Sequence, residues 1–379
     1  MLNPGQQQWD IFCRVIDNFG DIGVSWRLAR QFAREHGVKV RLWVDHIASL
    51  HALCPRVRVD ASRQMIDGVE LFQSSDESGF SQPGAVAIEM FGCGLPQNYV
   101  VALVARKVKP LWIILEYLSA EPWVRGHHGL PSPHPQLGLP RYFFFPGFAG
   151  GTGGVPREAD LLARRDAFDA AARRAWWARM GFEAVSPDAL AVSLFAYPHA
   201  PYAALLEACV SGAAPVVVVV PEGPAGAAGT LAARVRCAFQ AGRGNLALRY
   251  VPFVPQTDYD ELLWACDINF VRGEDSFVRA QWAGRPFVWH IYPQEANAHQ
   301  IKLAAFLDVY TGVFSVPVAQ AVRGLWRAWN GVADAPDLAG AWQAFISMRT
   351  AQIPGLTHWQ QTLAQVGDLA GNLVRFCQK

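Results

Sequence analysis

The stretch Trp9-Asp-Ile-Phe-Cys-Arg-Val-Ile-Asp17-Asn18-Phe19-Gly20-Asp21-Ile22-Gly23-Val-Ser-Trp-Arg-Leu-Ala-Arg30 reads as a strand, a glycine loop and a helix. That order opens a Rossmann-like unit, and the loop is where a ligand sits. Residues 18–23 nearly match the dinucleotide fingerprint G-x-G-x-x-G, with Asn18 in place of the first glycine. Asp17 and Asp21 bracket the loop. A pyrophosphate at a helix N-terminus wants amide donors, and two carboxylates repel it. The loop is therefore expected to hold a proton acceptor or to grip a cation such as a guanidinium or an amine. Asn18, Phe19, Gly20 and Gly23 are expected to support it.

The bulk composition narrows the class. At 379 residues the chain exceeds one compact core, so two domains are expected. A hydrophobic fraction of 51% is enough to fill them. The net charge of +1 supplies no global field for nucleic acid or an anionic membrane. Cys13, Cys54, Cys93, Cys209, Cys237, Cys266 and Cys377 contain no C-x-x-C pair and read as reduced thiols, with no metal site among them. The most apolar run, Val210 to Val220, contains Gly212 and Pro215 and is too short to span a bilayer. No charged-then-apolar leader pattern is visible, so a cytoplasmic protein is expected.

Outward from the first motif, strands and helices alternate through Leu115, which implies a parallel sheet. Residues 121–160 are dense in Pro, Gly and aromatics and read as a long loop or irregular hairpin. Asp160–Met180 reads as helical. A boundary near 181–187 divides an N-terminal domain, 1–180, from a second domain, 181–352, in which the alternation restarts. An amphipathic helix over Thr357–Phe376 lies in a last segment, 353–379, expected to return to the first domain.

The second motif is Arg272-Gly273-Glu274-Asp275-Ser276-Phe277, between a strand and a helix. Arg272, Ser276 and the free helix amides suit phosphate oxygens, and Glu274 suits sugar hydroxyls. The same residues also read as an ordinary helix cap with Arg272 on the surface. A third cluster joins Phe195 and Tyr197 to Phe253, Gln256 and Tyr259. Aromatic rings beside an amide suit a planar base; they equally suit core packing. Asp45 ends the second strand, where a dinucleotide enzyme holds its ribose, which is the case for an oxidoreductase. The missing glycine and Asp21 argue against that class. His127, His128 and His134 read as solvated loop histidines. Trp26, Trp176, Trp177 and Trp264 read as core.

With these motifs and Trp289-His-Ile-Tyr-Pro-Gln294-Glu, the chain resembles the EarP family, the protein-arginine rhamnosyltransferases that modify elongation factor P. The resemblance covers nearly the whole chain. It implies an α/β GT-B fold, two Rossmann-like domains facing a central cleft, and an inverting transfer of rhamnose from dTDP-β-L-rhamnose to an arginine of elongation factor P. By motif, Asp21 matches the catalytic aspartate, Asp17 the second acid and Glu274 the essential glutamate. Phe195, Phe253 and Tyr259 fall where the family stacks aromatics on thymine. Tyr197, Arg272, Asp275 and Ser276 fall around ribose and diphosphate, and Gln256 falls near the base. The resemblance implies neither cofactor nor metal. Two rivals remain: a GT-B enzyme with a glycan or lipid acceptor, and a non-catalytic elongation-factor-binding module.

Overall fold

The computed structural model describes residues 7–17, 19–134, 137–183, 185–186, 188–223, 229–240 and 242–378. Asn18 lies outside the described residues. The chain divides into two compact units, one of residues 1–159 with 363–379, the other of residues 160–362.

In the first unit the strands are β1 (Gln8–Cys13), β2 (Lys39–Val44), β3 (Arg63–Ile66), β4 (Val69–Gln73), β5 (Val86–Met90), β6 (Leu111–Leu115), β7 (Pro131–Pro133) and β8 (Pro140–Phe144). Among the described residues they form one sheet in the order β3-β4-β2-β1-β5-β6-β8-β7. The six inner strands are parallel; β3 and β7 add antiparallel edges. Central strands of a parallel sheet are covered on both faces. β1 accordingly buries Trp9, Asp10, Ile11, Phe12 and Cys13 alike. Phe12 stacks on Trp43 at 4.8 Å, and Trp43 stacks on Phe72 at 4.6 Å.

Asp10 is a carboxylate in the middle of that core, 0% exposed. It accepts Arg41 Nε and Nη2, each at 2.7 Å, and the Gly84 amide and Tyr99 hydroxyl, each at 2.6 Å. Burial, with Asp10 beside it, pushes the Tyr99 phenol well above its ordinary range. Four donors, three of them on Oδ2, satisfy the buried carboxylate and tie β1 to β2 and to the helix Gln97–Ala105.

The segment 121–160 is more ordered than its composition suggests. It contains the short helix Val124–His127 and the β7–β8 hairpin, whose β8 extends the parallel sheet beside β6. The run Tyr142-Phe-Phe144 supplies β-propensity that the surrounding Pro and Gly obscure. His128 is not a solvated histidine: its Nδ1 accepts the Phe145 amide at 3.1 Å, and burial lowers its pKa. His134 stacks on Trp112 at 5.8 Å.

The second unit contains β9 (Leu190–Leu194), β10 (Val216–Pro221), β11 (Gly242–Arg243), β12 (Leu246–Val251), β13 (Ile268–Arg272) and β14 (Phe287–His290), ordered β11-β12-β10-β9-β13-β14. All pairs are parallel except β11 with β12. Residues 160–180, expected in the first domain, belong here. Asp169 accepts the Ala171 and Ala172 amides, each at 2.9 Å, and starts the helix Ala170–Arg179. That helix packs Trp176 and Trp177 against Ala191, Val219, Val251 and Leu262. Two indoles need an apolar sheet face, and this one lies downstream in sequence.

The last segment is also not one helix. Arg349–Val366 and Leu369–Cys377 are separated at Gly367, whose φ of 92° a side chain would resist, and Asp368 caps the second helix through the Gly371 amide at 2.7 Å. The second unit runs to Thr362 and the first resumes at Leu363. Leu369–Cys377 lies on the helix Gly20–His36, where Gln31 Nε2 reaches Asp368 Oδ1 at 3.2 Å. Trp26 and Trp264 are buried as expected, and no helix among the described residues is long and apolar enough to cross a membrane.

The Asp10 network makes a direct prediction. Asp10→Ala leaves the Arg41 guanidinium buried without its carboxylate, at a cost of about 3–5 kcal/mol, the scale of a broken buried pair. Urea titration followed by tryptophan fluorescence measures it; a loss below about 1 kcal/mol would contradict the account.

Candidate active site

In the first unit the site begins where β1 ends. The helix Gly20–His36 starts earlier than its apolar pattern suggests, so Gly20 and Gly23 form its first turn rather than a loop. Gly20 donates its amide to Asp17 O at 2.7 Å, and Gly23 donates to Phe19 O at 2.9 Å. The cause is Asp21. Its carboxylate turns back over the open end of the helix, and Oδ2 accepts the Ile16 amide at 2.8 Å and the Asp17 amide at 3.0 Å. A carboxylate in the first turn is also favoured by the helix dipole. Phe19 occupies the N-cap without a side-chain cap bond, and Asp21 instead ties the Ile16–Asp17 backbone that precedes the helix to its first turn.

Asp21 is 1% exposed, Asp17 half-buried, and Ile16 exposed beside them. The other carboxylate oxygen, Oδ1, accepts the Tyr117 hydroxyl at 3.0 Å. Tyr117 is a residue that sequence reasoning missed, because it sits 96 positions away in an unremarkable strand end. Asp45, the ribose candidate of the oxidoreductase reading, instead accepts the Val15 amide at 2.9 Å. It braces the same loop.

In the second unit the expected donor residues gather at the carboxyl ends of β9 and β13. In an open parallel sheet this is the edge where ligands bind. The Arg272 guanidinium lies over the Phe195 ring at 4.5 Å and over the Tyr197 ring at 4.8 Å. Phe195 meets Tyr259 edge-on at 6.0 Å. The turn between β13 and the helix Asp275–Ala283 is made by Gly273 at φ 58°. It is held by the Trp289 indole donating to Gly273 O at 2.8 Å, while Ser276 Oγ accepts the Arg272 amide at 3.0 Å. Gln256, 2% exposed, donates to Asp275 Oδ2 at 3.1 Å. Glu274 occupies the helix N-cap and makes no side-chain cap bond. Phe253 is half-buried two residues beyond β12. Burial pushes the Tyr259 phenol far up, with Ser276 beside it acting in the opposite direction.

Beneath this layer a buried ion pair joins the two helices that carry it. Arg279, on Asp275–Ala283, donates Nε to Asp260 Oδ1 at 2.6 Å and Nη2 to Oδ2; Asp260 lies on Tyr259–Ala265. The pair fixes Tyr259 and Gln256 against Asp275 and Ser276. Two histidines, also missed by sequence reasoning, back Tyr197. His290 Nδ1 accepts the Tyr197 amide at 3.2 Å, and His199 stacks on the Tyr197 ring at 5.7 Å. Tyr292 meets the same ring edge-on at 5.6 Å. Burial, then the charges of His199 and Arg272, lowers the His290 pKa to about 3. Among the described residues no three His, Cys, Asp or Glu side chains converge on a metal position.

Two open α/β sheets, each with ligand-type residues at strand carboxyl ends, are the architecture of the GT-B fold. The Anabaena protein HepE, solved with UDP-glucose, matches over 98% of this chain at TM-score 0.51 and 9% identity, which supports the fold alone. The family profile for the elongation-factor P (EF-P) rhamnosyltransferase EarP matches residues 9–378, and the chain belongs to that family. It is 47% identical to a protein-arginine rhamnosyltransferase of Pseudomonas putida, over 97% of this chain and 98% of the relative. The Neisseria meningitidis serogroup B enzyme of the same name is 36% identical over 97% and 96%. A solved structure of EarP-mediated arginine glycosylation of translation elongation factor EF-P matches at TM-score 0.67 and 34% identity, over 98% of this chain and 99% of that one.

His290 predicts an acid sensitivity. Its folded pKa lies below the ordinary 6.5, so the unfolded chain binds the extra proton first. Its contribution is complete above about pH 6.5 and is lost progressively as the pH falls toward about 3. His290→Gln retains an acceptor for the Tyr197 amide but does not titrate. The drop in urea midpoint between pH 7.5 and pH 5 should be smaller in this variant than in the parent; an equal drop would contradict the assignment.

Proposed function

We propose that the protein transfers L-rhamnose from dTDP-β-L-rhamnose to one arginine side chain of elongation factor P, with inversion at the anomeric carbon. The modified factor then serves rescue of ribosomes stalled at polyproline, which places the enzyme in the cytoplasm. The observation that carries the reading is the Asp21 carboxylate, buried at the start of a helix where a dinucleotide enzyme needs bare amides. A fixed carboxylate suits a guanidinium and opposes a phosphate.

The chemistry follows from what a guanidinium is. It is charged and delocalised, donates only, and is a poor nucleophile. Asp21 orients one nitrogen and takes its proton as that nitrogen attacks the anomeric carbon. The new C–N bond forms while the bond from that carbon to the diphosphate oxygen breaks. One displacement with one base on the face away from the leaving group inverts the configuration. Asp17 adds negative charge beside the incoming cation. The leaving diphosphate gains charge, which falls to Arg272, the Tyr197 hydroxyl and the first amides of Asp275–Ala283, with Ser276 turning its hydroxyl from the Arg272 carbonyl to a phosphate oxygen when the donor binds. This assignment has no metal in that role and no cofactor. Glu274 and Asp275 carry charge opposed to diphosphate, so Glu274 is assigned to rhamnose hydroxyls and Asp275, through its contact with Gln256, to the nucleoside. Phe195, Phe253 and Tyr259 are assigned to the thymine faces.

The direct test is intact-mass analysis of elongation factor P incubated with the protein, dTDP-rhamnose and EDTA. The expected result is a gain of one deoxyhexosyl residue, lost when the acceptor arginine is replaced by lysine. No gain with or without EDTA would overturn the reading; a gain only without EDTA would overturn the metal-free part.

Two substitutions test the two residue groups separately. Asp21→Asn keeps the shape and removes the proton acceptor, so turnover should fall roughly 100-fold or more. Turnover within a few-fold of the parent would remove Asp21 as the base. Phe253→Ala should weaken dTDP binding about 5- to 150-fold, the range of base–aromatic stacking. Calorimetry showing unchanged affinity would place Phe253 in the core.

A further inference from the structure

A carboxylate offers about four lone-pair positions, two on each oxygen. Among the described residues three donors reach Asp21. The Ile16 and Asp17 amides share Oδ2, and the Tyr117 hydroxyl takes one position on Oδ1. Oδ2 is thereby filled by backbone that the helix start fixes in place. What is left lies on Oδ1, next to Tyr117.

The Tyr117 ring is itself held. It stacks on Phe91 with ring centres 4.3 Å apart and planes 12° from parallel. Phe91 follows β5 directly and has φ of 55°, a left-handed backbone that an aromatic residue seldom adopts. Such conformations persist where the surrounding structure enforces them, and they cluster at functional sites. Tyr117 lies two residues beyond β6, the strand paired with β5. Adjacent strand ends thus present one ring to brace the other, and the braced ring carries the hydroxyl on Asp21.

From this geometry we infer that Tyr117 is a positioning residue for the transfer: by occupying one lone pair of Asp21 Oδ1 it aims the other at the incoming guanidinium N–H. The inference rests on the reading of Asp21 as the base. Without the hydroxyl, Oδ1 is free to rotate or to take water, and the bound arginine meets a carboxylate that is no longer aimed. Misaligned proton transfer costs rate and leaves binding intact. Tyr117 does not itself exchange a proton in this scheme. The proton leaves the guanidinium nitrogen and ends on Asp21 Oδ1.

The test is Tyr117→Phe, which keeps the ring and its stack on Phe91 and removes only the hydroxyl. On folded elongation factor P with dTDP-rhamnose, kcat should fall on the order of 10- to 100-fold. The acceptor KM and the dTDP affinity should stay as in the parent. The decisive arm is the double variant Asp21→Asn with Tyr117→Phe. If Tyr117 acts only through the carboxylate, the double variant is no slower than Asp21→Asn alone. Parental kcat in Tyr117→Phe, with Asp21→Asn inactive, would overturn the inference and leave Asp21 standing. Losses that multiply in the double variant would also overturn it, since they mean a general structural role. Parental turnover in Asp21→Asn would instead remove the reading on which the inference depends.

Discussion

The hydrogen bonds from the Ile16 and Asp17 amides to Asp21 Oδ2 are the constraint on which the proposed chemistry of the first unit depends. An aspartate in the first helical turn normally serves the helix: it neutralises orphan amides and answers the dipole. Here the carboxylate reaches back past the helix to the preceding loop instead: two loop amides fix Oδ2 and the Tyr117 hydroxyl fixes Oδ1, so it is held from both oxygens before any substrate arrives. Preorganisation of this kind is what makes a buried charge useful in catalysis, since no reorganisation is paid at the moment of reaction. The rest of the unit delivers that helix start. β1 is anchored through Asp10 and Arg41, the loop through Asp45, and the helix face by Leu369–Cys377.

The second unit solves a different problem with similar means. In the proposed function its task is to present cationic and hydroxyl groups at a sheet edge with aromatic faces beside them. Arg272 stays extended because it lies over two rings, Phe195 and Tyr197, and a planar guanidinium is suited to such stacking. Tyr197 is fixed in turn by His290, which must remain neutral to accept its amide. Asp260 with Arg279 fixes the helices below. The layering means that substitutions outside the apparent site, at His290 or Arg279, act on it.

Much of this was legible in the sequence, for physical reasons that differ between elements. The alternation of short apolar strands with helices fixed the α/β class, because parallel strands buried on both faces leave a strong signature. Asp17 and Asp21 stood out because carboxylates contradict a phosphate loop. The Arg272–Ser276 turn was ambiguous between cap and ligand site, and it took the positions of Phe195 and Tyr197 to group these residues. What stayed hidden is what depends on distant partners. Tyr117 and His290 reach the site only through strand order. The boundary after Ala159 depends on where Trp176 and Trp177 find an apolar face. The break at Gly367 was masked by an amphipathic pattern that continues across it, and β8 by the prolines and glycines around an aromatic run.

The central claim is a division of labour: Asp21 serves the acceptor, and the residues around Arg272 hold the donor nucleotide. Calorimetry of dTDP binding to purified Asp21→Asn tests that division most directly. The account predicts the affinity of the parent protein, with transfer lost. An affinity weakened about tenfold or more, some 1.4 kcal/mol, would mean that Asp21 belongs to the donor site and would contradict the account.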